Sequence, residues 1–224
     1  RQKTIRYQLL IINLPPVARS SRSLWTQKIL SGTVEKSDGS RVQMSRSRGN
    51  ADTSLPPIIP GTRLPYSGFV LGIDPSLRGS GFAVVEFAPG AEPKLHFSKT
   101  LKIARDVSLA TCLGEIYKLC ADCCEDFPVR HVALEETIYV NNFKVAQVLG
   151  AARGAAIAAA SVLGRKVFEY PPLRIKQAVV GFGRAQKSQV AGMTKQILKL
   201  AKELPFDESD AAAAALCHGY TYRD

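Results

Sequence analysis

The chain predicts an α/β fold, a mixed five-stranded sheet flanked by helices, and two observations carry that expectation. From Gly68 onward, short apolar runs of strand length alternate with longer segments whose apolar residues recur on the 3.6-residue helical period. The order is three strands, helix, strand, helix, strand, then helices, so the sheet combines hairpin pairing with strands reached through helical connections.

Gly68 to Asp74 reads as a buried strand, and Asp74-Pro75-Ser76-Leu77-Arg78-Gly79-Ser80-Gly81 as a turn leading to a second strand, Phe82 to Phe87. That makes a hairpin with an acid at its mouth. Lys94 to Lys102 is a third strand. Asp106 to Glu125 follows as a helix whose Leu109, Cys112, Leu113, Ile116, Leu119, Cys120 and Cys123 share an apolar face. Val129 to Glu135 is a short strand, Asn141 to Leu163 a long helix full of Ala and Gly, and Lys166 to Tyr170 another strand. Pro171-Pro172 opens a helix through Val180, since proline fits a helix's first turn. Lys187 to Glu203 and Ser209 to Tyr220 finish the chain as helices.

Thirty Lys and Arg against nineteen Asp and Glu give +11 and a pI near 9.6, which suits a polyanionic partner. Residues 1–60 hold ten of the basic residues against Glu35, Asp38 and Asp52, so most of the excess lies outside the predicted core. We therefore divide the chain into a basic, Ser/Arg-rich extension with a proline linker (Pro56-Pro57, Pro60), residues 1–67, and a folded domain, 68–224. The extension has the composition of an organelle transit peptide, with a disordered basic tail as the alternative. No membrane-spanning helix is expected, because Arg153 interrupts the most apolar stretch. Cys120 and Cys123 have the spacing of half a zinc site, but no second pair follows, and they fall on the apolar face of a helix. His96, His131 and His218 are scattered. His218 lies two turns after Asp210, and core or surface placement is expected for it.

Four carboxylates carry the chemistry. Asp74 ends the run Phe69-Val70-Leu71-Gly72-Ile73, Glu135 ends His131-Val132-Ala133-Leu134, and Asp207 and Asp210 stand three apart before an alanine-rich tract. Residues three apart on a helix point the same way, and hard divalent ions that take oxygen ligands hold such acids together. A magnesium cage on a basic chain points to phosphodiester chemistry. For one acid taken alone a helix cap explains as much, Asp207 above all.

Seven segments then carry a resemblance: Leu71-Gly72-Ile73-Asp74-Pro75 with Arg78 and Gly81; Ala133-Leu134-Glu135; Leu149-Gly150-Ala151-Ala152-Arg153-Gly154; Phe168-Glu169-Tyr170; Lys176-Gln177-Ala178-Val179-Val180-Gly181; Lys187-Ser188-Gln189-Val190; and Asp207-Glu208-Ser209-Asp210-Ala211. In order and spacing they resemble the RuvC Holliday junction resolvases, which have the ribonuclease H-like fold; with the leader, the chain resembles the family's plant chloroplast branch. The resemblance implies an endonuclease with two Mg2+ ions per active site, Mn2+ substituting. Asp74 would bridge both ions, Glu135 would bind one, and Asp207 and Asp210 the other. Lys187 would sit near the scissile phosphate and Lys176 would make a second such contact. Arg78, Lys144, Arg153, Arg174 and Arg184 are candidates for phosphate contacts, with Arg153 alternatively holding the long helix in place. The family also implies a homodimer that nicks four-way junction DNA symmetrically and no small-molecule substrate; the plant branch and the transit-like leader imply a plastid location, with the mitochondrion second. Two departures stand out. Glu136 replaces a Gln and Ile138 replaces a base-wedging Phe, leaving Tyr139 as the candidate to stack on a base.

Three rival readings follow from the same residues. An RNase or repair endonuclease on this fold would use the same acids. Gly72-Ile73-Asp74 with its glycine-containing hairpin resembles the first phosphate loop of ATP-binding actin and sugar-kinase proteins, but a second loop and an adenosine motif are missing. A non-catalytic DNA-binding module should have lost acids that this chain retains.

Overall fold

The computed structural model describes residues 33–35, 41–43, 65–136 and 142–223. The chain divides into two compact units between Ile59 and Pro60. In the first, a short antiparallel ladder pairs Thr33–Glu35 with Arg41–Gln43. The sequence reading assigned no strand there; the Asp38-Gly39 pair between the two segments is the hairpin signal it passed over.

The second unit is built on β1 (Gly68–Asp74), β2 (Gly79–Phe87), β3 (Lys94–Lys102), β4 (Val129–Glu135) and β5 (Lys166–Tyr170). Their spatial order is β3-β2-β1-β4-β5. β1 and β2, and β2 and β3, are antiparallel, whereas β4 runs parallel to both β1 and β5. The mixed five-stranded sheet is the one expected. Helices α1 (Leu109–Asp126), α2 (Phe143–Val162), α3 (Pro172–Val180), α4 (Lys187–Ile197) and α5 (Phe206–Thr221) complete it.

Side chains alternate across a strand, so β1 feeds two cores. Leu71 and Ile73 pack with Ile116 and Cys120 of α1 and Ala152 and Ala156 of α2. Val70 packs on the other side with Ile175, Val190 and the alanines of α5. With both faces covered, β1 reads as an unbroken apolar run rather than an alternating one. Truncating a fully buried residue such as Ile73 to Ala would cost roughly 2–5 kcal/mol.

Several boundaries differ from the sequence reading, each for a physical reason. β2 starts at Gly79, not Phe82, because Gly79 and Gly81 are paired strand residues, opposite Lys102 and Thr100. The helix expected to reach Glu203 ends at Ile197. Lys199 takes a left-handed φ of 51°, its N–H donates to the Gln196 carbonyl and the Leu200 N–H to the Lys195 carbonyl, a helix stop usually marked by glycine. α5 starts at Phe206 behind Pro205, three residues before Ser209. α1 begins after Ser108, whose side chain accepts from the Thr111 N–H, and α2 after Asn142, which caps Lys144 and Val145. Tyr66, 3% exposed, belongs to the core, so the folded unit begins before Gly68.

By length and composition α2 is the one helix among the described residues long and apolar enough to cross a membrane. Arg153 in its middle is ion-paired with Glu169 of β5, and one face, Ala152, Ala156, Ala159 and Ala160, is fully buried. Phe143, Val145 and Val162 remain exposed. The five cysteines are buried free thiols, with Cys120 Sγ directed at the Ala156 carbonyl.

Candidate functional site

Sheet register brings the two strand-end acids together. Ile73 pairs with Leu134 across the parallel β1–β4 ladder, so Asp74 and Glu135 leave neighbouring strands at the same end. Parallel neighbours lie about 4.8 Å apart, which puts two carboxylates within strong electrostatic reach. α5 is laid over β1 and β2 where glycines leave room. A Cβ on Gly72 would stand 1.9 Å from the Ala211 carbonyl oxygen, and one on Gly81 would stand 1.9 Å from that of Asp207. This close approach sets Asp210, next to Ala211, beside Asp74.

A cavity of about 260 Å³ is lined by Asp74, Glu135, Asp210, Lys176 and Lys187, with Pro172, Ile175 and Val190 as its apolar wall. Lys187 Nζ donates to Asp210 Oδ2 at 3.1 Å. Burial, then repulsion from Asp210 and Glu135, pushes Asp74 up to about 7, with Lys187 pulling against the shift. Glu135 is raised by burial and by Asp210, offset by Lys187 and Lys176. The Lys187 ammonium is held above its ordinary value by its hydrogen bond to Asp210.

Asp207 is placed differently from the other three acids. It is absent from the cavity lining, its Oδ2 faces Gly79, and it is the weakest of the charges acting on Asp74. Among the described residues no three His, Cys, Asp or Glu side chains close around one point. Lys187 and Lys176 offset part of the repulsion among the carboxylates. The donor set nevertheless fits a hard divalent ion in its chemistry: every donor is a carboxylate oxygen, and carboxylates outnumber the lysines that offset them.

The turn after Asp74 is braced from within. The Ser76 N–H donates to Ser80 Oγ at 3.0 Å and the Gly79 N–H to Ser76 Oγ at 3.2 Å. The Arg78 guanidinium donates to the carbonyls of Ala104 and Val107, tying this turn to the segment that leads into α1. Arg78 and Arg153 thus have partners inside the domain, and Arg153 holds α2 to β5. Lys144 and Arg184 are exposed; Arg174 is half-buried and acts on Tyr170 and Cys217, on the core side of α3. Tyr139 and Ile138 lie outside the described residues. Glu136 is exposed, and its N–H donates to the Tyr170 carbonyl at 2.8 Å.

His218 is core. It is fully buried, with Nε2 2.9 Å from His131 Nδ1 and Nδ1 2.7 Å from the Tyr170 hydroxyl, and burial followed by His131 lowers it to about 3. The sequence reading missed the cavity wall and Glu208, whose carboxylate is bound to Ser98 and Thr100 of β3. A four-residue acidic run conceals that one of its members faces away. The glycines that resembled a phosphate loop are strand residues beneath α5.

A family profile described as crossover junction endodeoxyribonuclease RuvC matches residues 70–218. A relative of that description from Halorhodospira halophila is 41% identical over 151 residues, covering 67% of this chain and 89% of its own. Another, from Caldanaerobacter subterraneus, is 41% identical over 150 residues, covering 66% and 90%. Among solved structures, Thermus thermophilus RuvC in complex with Holliday junction substrate superposes with a TM-score of 0.65 at 31% identity, over 68% of this chain and 93% of that one.

Proposed function

This chain belongs to the RuvC family of crossover junction endodeoxyribonucleases, and we propose that it resolves four-way DNA junctions by paired symmetric nicks, as a magnesium-dependent homodimer in plastids. It is a nuclease of the hydrolase class. The observation that carries the reading is the convergence of Asp74, Glu135 and Asp210 from three separate elements on one cavity that also holds Lys176 and Lys187.

Asp74, Glu135 and Asp210, with Asp207 at the margin, would hold the ions. Divalent metal dependence goes with the family; magnesium, with Mn2+ as substitute, is our assignment from the all-oxygen donor set. When bound, the ions lower the pKa of a water and neutralise charge on the leaving oxygen. The protein's own part is positional. β1 and β4 hold Asp74 and Glu135 as a rigid pair, and Lys187, 69% exposed at its side chain, can swing from Asp210 to the phosphate, where its charge meets the transition state. Lys176 adds a second cation at the rim, and the apolar wall limits water.

Lys144 and Arg184, both exposed, would contact backbone phosphates, which position the junction without reading its sequence. Tyr139 would stack on a base at the branch point. Two nicks related by symmetry need two sites on a two-fold axis, and the exposed Phe143, Val145 and Val162 of α2 supply apolar surface for such a dimer. The basic Ser/Arg-rich extension supports the plastid assignment and a role in recombining and segregating plastid DNA.

Cleavage of a mobile four-way junction beside linear duplex, a flap and an RNA–DNA hybrid, with magnesium, tests the substrate. Preferential paired nicking of the junction is expected; a preference for the hybrid would move the chain to the RNase reading.

A further inference from the structure

Asp207, Glu208 and Asp210 share the first turns of α5, yet Glu208 faces away from the cavity. Its Oε2 accepts from the Ser98 hydroxyl at 2.6 Å, and its Oε1 accepts from the Thr100 N–H at 3.1 Å and the Thr100 hydroxyl at 3.3 Å. Ser98 and Thr100, two apart, share a face of β3, the edge strand, so one carboxylate engages both. Thr100 is the register partner of Gly81, and the Asp207 carbonyl is seated on Gly81. The clamp and the glycine seat therefore hold the same helical turn from adjacent strands.

The other end of α5 is held independently. His218 is hydrogen-bonded to His131 of β4 and Tyr170 of β5, and the alanines between are buried. Losing the Glu208 clamp would leave the first turn, which carries Asp207, resting on the Gly81 seat alone. Asp210 is nearly one turn further from the clamp, with the Ala211 carbonyl beside it seated on Gly72.

We propose that Glu208 is a positioning residue: by fastening the first turn of α5 to Ser98 and Thr100 of β3 it fixes where Asp207 stands relative to Asp74, and so sets the affinity for divalent ions without binding one. This rests on the assignment of ions to Asp74, Glu135, Asp207 and Asp210. Groups that orient ligands from behind matter to a metal site nearly as much as the ligands.

The test is Mn2+ binding to the full chain, followed by electron paramagnetic resonance of the free ion, at a temperature where each variant is fully folded. Asp74→Asn should abolish tight binding. Glu208→Ala should weaken it about tenfold, the lower end for residues behind a ligand. Glu208→Gln keeps an acceptor for the Thr100 N–H and should recover most of the loss. Tyr170→Phe removes the hydroxyl from His218, and should lower Tm while leaving Mn2+ affinity unchanged. Wild-type affinity in Glu208→Ala, with Asp74→Asn unable to bind, overturns the clamp and leaves the nuclease reading standing. Binding that survives Asp74→Asn overturns the ion assignment itself. If Glu208→Ala does not fold, Ser98→Ala decides: weaker binding supports the clamp, and unchanged binding overturns it.

Discussion

Lys187 Nζ and Asp210 Oδ2 are 3.1 Å apart, at the mouth of the cavity that Asp74 and Glu135 share. The lysine side chain is 69% exposed and the aspartate 15%, so the mobile partner is the cation. An exposed lysine adds little stability through one ion pair, because solvent screens it. Its value is in charge. Lys187→Ala should lower the nicking rate by about 100-fold, the scale for removing one group aimed at a developing charge, and change junction affinity far less. Single-turnover cleavage with parallel binding measurements checks this; an equal loss in both would make Lys187 an ordinary phosphate contact.

Asp74 carries a cost that the metal-free protein should reveal. Its folded pKa, about 7, lies above its ordinary 3.8. Between those values the native state binds the extra proton, so stability falls as pH rises through that window and the full penalty applies above it. Asp74→Asn should therefore be more stable than the metal-free wild type at pH 8, by roughly 1–3 kcal/mol, and no more stable at pH 4. Urea unfolding at the two pH values, with chelator present, measures it. A variant less stable than wild type at pH 8 would show that burial and repulsion do not act on Asp74 as described.

The same shift predicts how ion binding responds to acid. An ion competes with the proton on Asp74, so affinity should be near its plateau at pH 8 and fall by about tenfold per unit below pH 7. Calorimetric titration with Mn2+ at pH 8 and pH 6 tests the slope. A flat profile would remove Asp74 from the ligand set.

Gly72 and Gly81 are two points where the backbone of α5 lies directly on the sheet. At each, an added Cβ would lie 1.9 Å from a helix carbonyl oxygen, far inside contact distance, and no flexible side chain is there to yield. Gly72→Ala or Gly81→Ala should destabilise by about 1–3 kcal/mol or more, because the helix must lift from the strands. The folded remainder should bind ions more weakly. Gly150→Ala, inside α2 where the added atom meets nothing, is the control and should be neutral or stabilising.

The sequence made the strands plain, because burial on both faces left unbroken apolar runs that stop at Asp74 and at Glu135. It also made the acids plain, since Asp74 and Glu135 each close an apolar run and Asp207 and Asp210 stand three apart. What it concealed came from contacts between distant segments. Gly79 and Gly81 read as turn residues, and only the packing of α5 shows that they are strand residues kept small for the Asp207 backbone. Lys199 ends α4 in a left-handed conformation that lysine does not advertise. Glu208 reads as one of three acids in a short run, and only its bonds to Ser98 and Thr100, more than a hundred residues earlier, set it apart. Asp207 and Asp210, three apart, were expected to face one site together; the structure turns Asp207 toward Gly79 and leaves Asp210 in the cavity.

The most direct test is cleavage of a four-way junction by Asp210→Asn protein that matches the wild type in melting temperature and junction affinity. The amide keeps the shape of the side chain but removes the charge that Lys187 and the ions share. With magnesium, the account predicts a bound junction and no nicks, against paired symmetric nicks from the wild type. Paired nicks at the wild-type rate would contradict it.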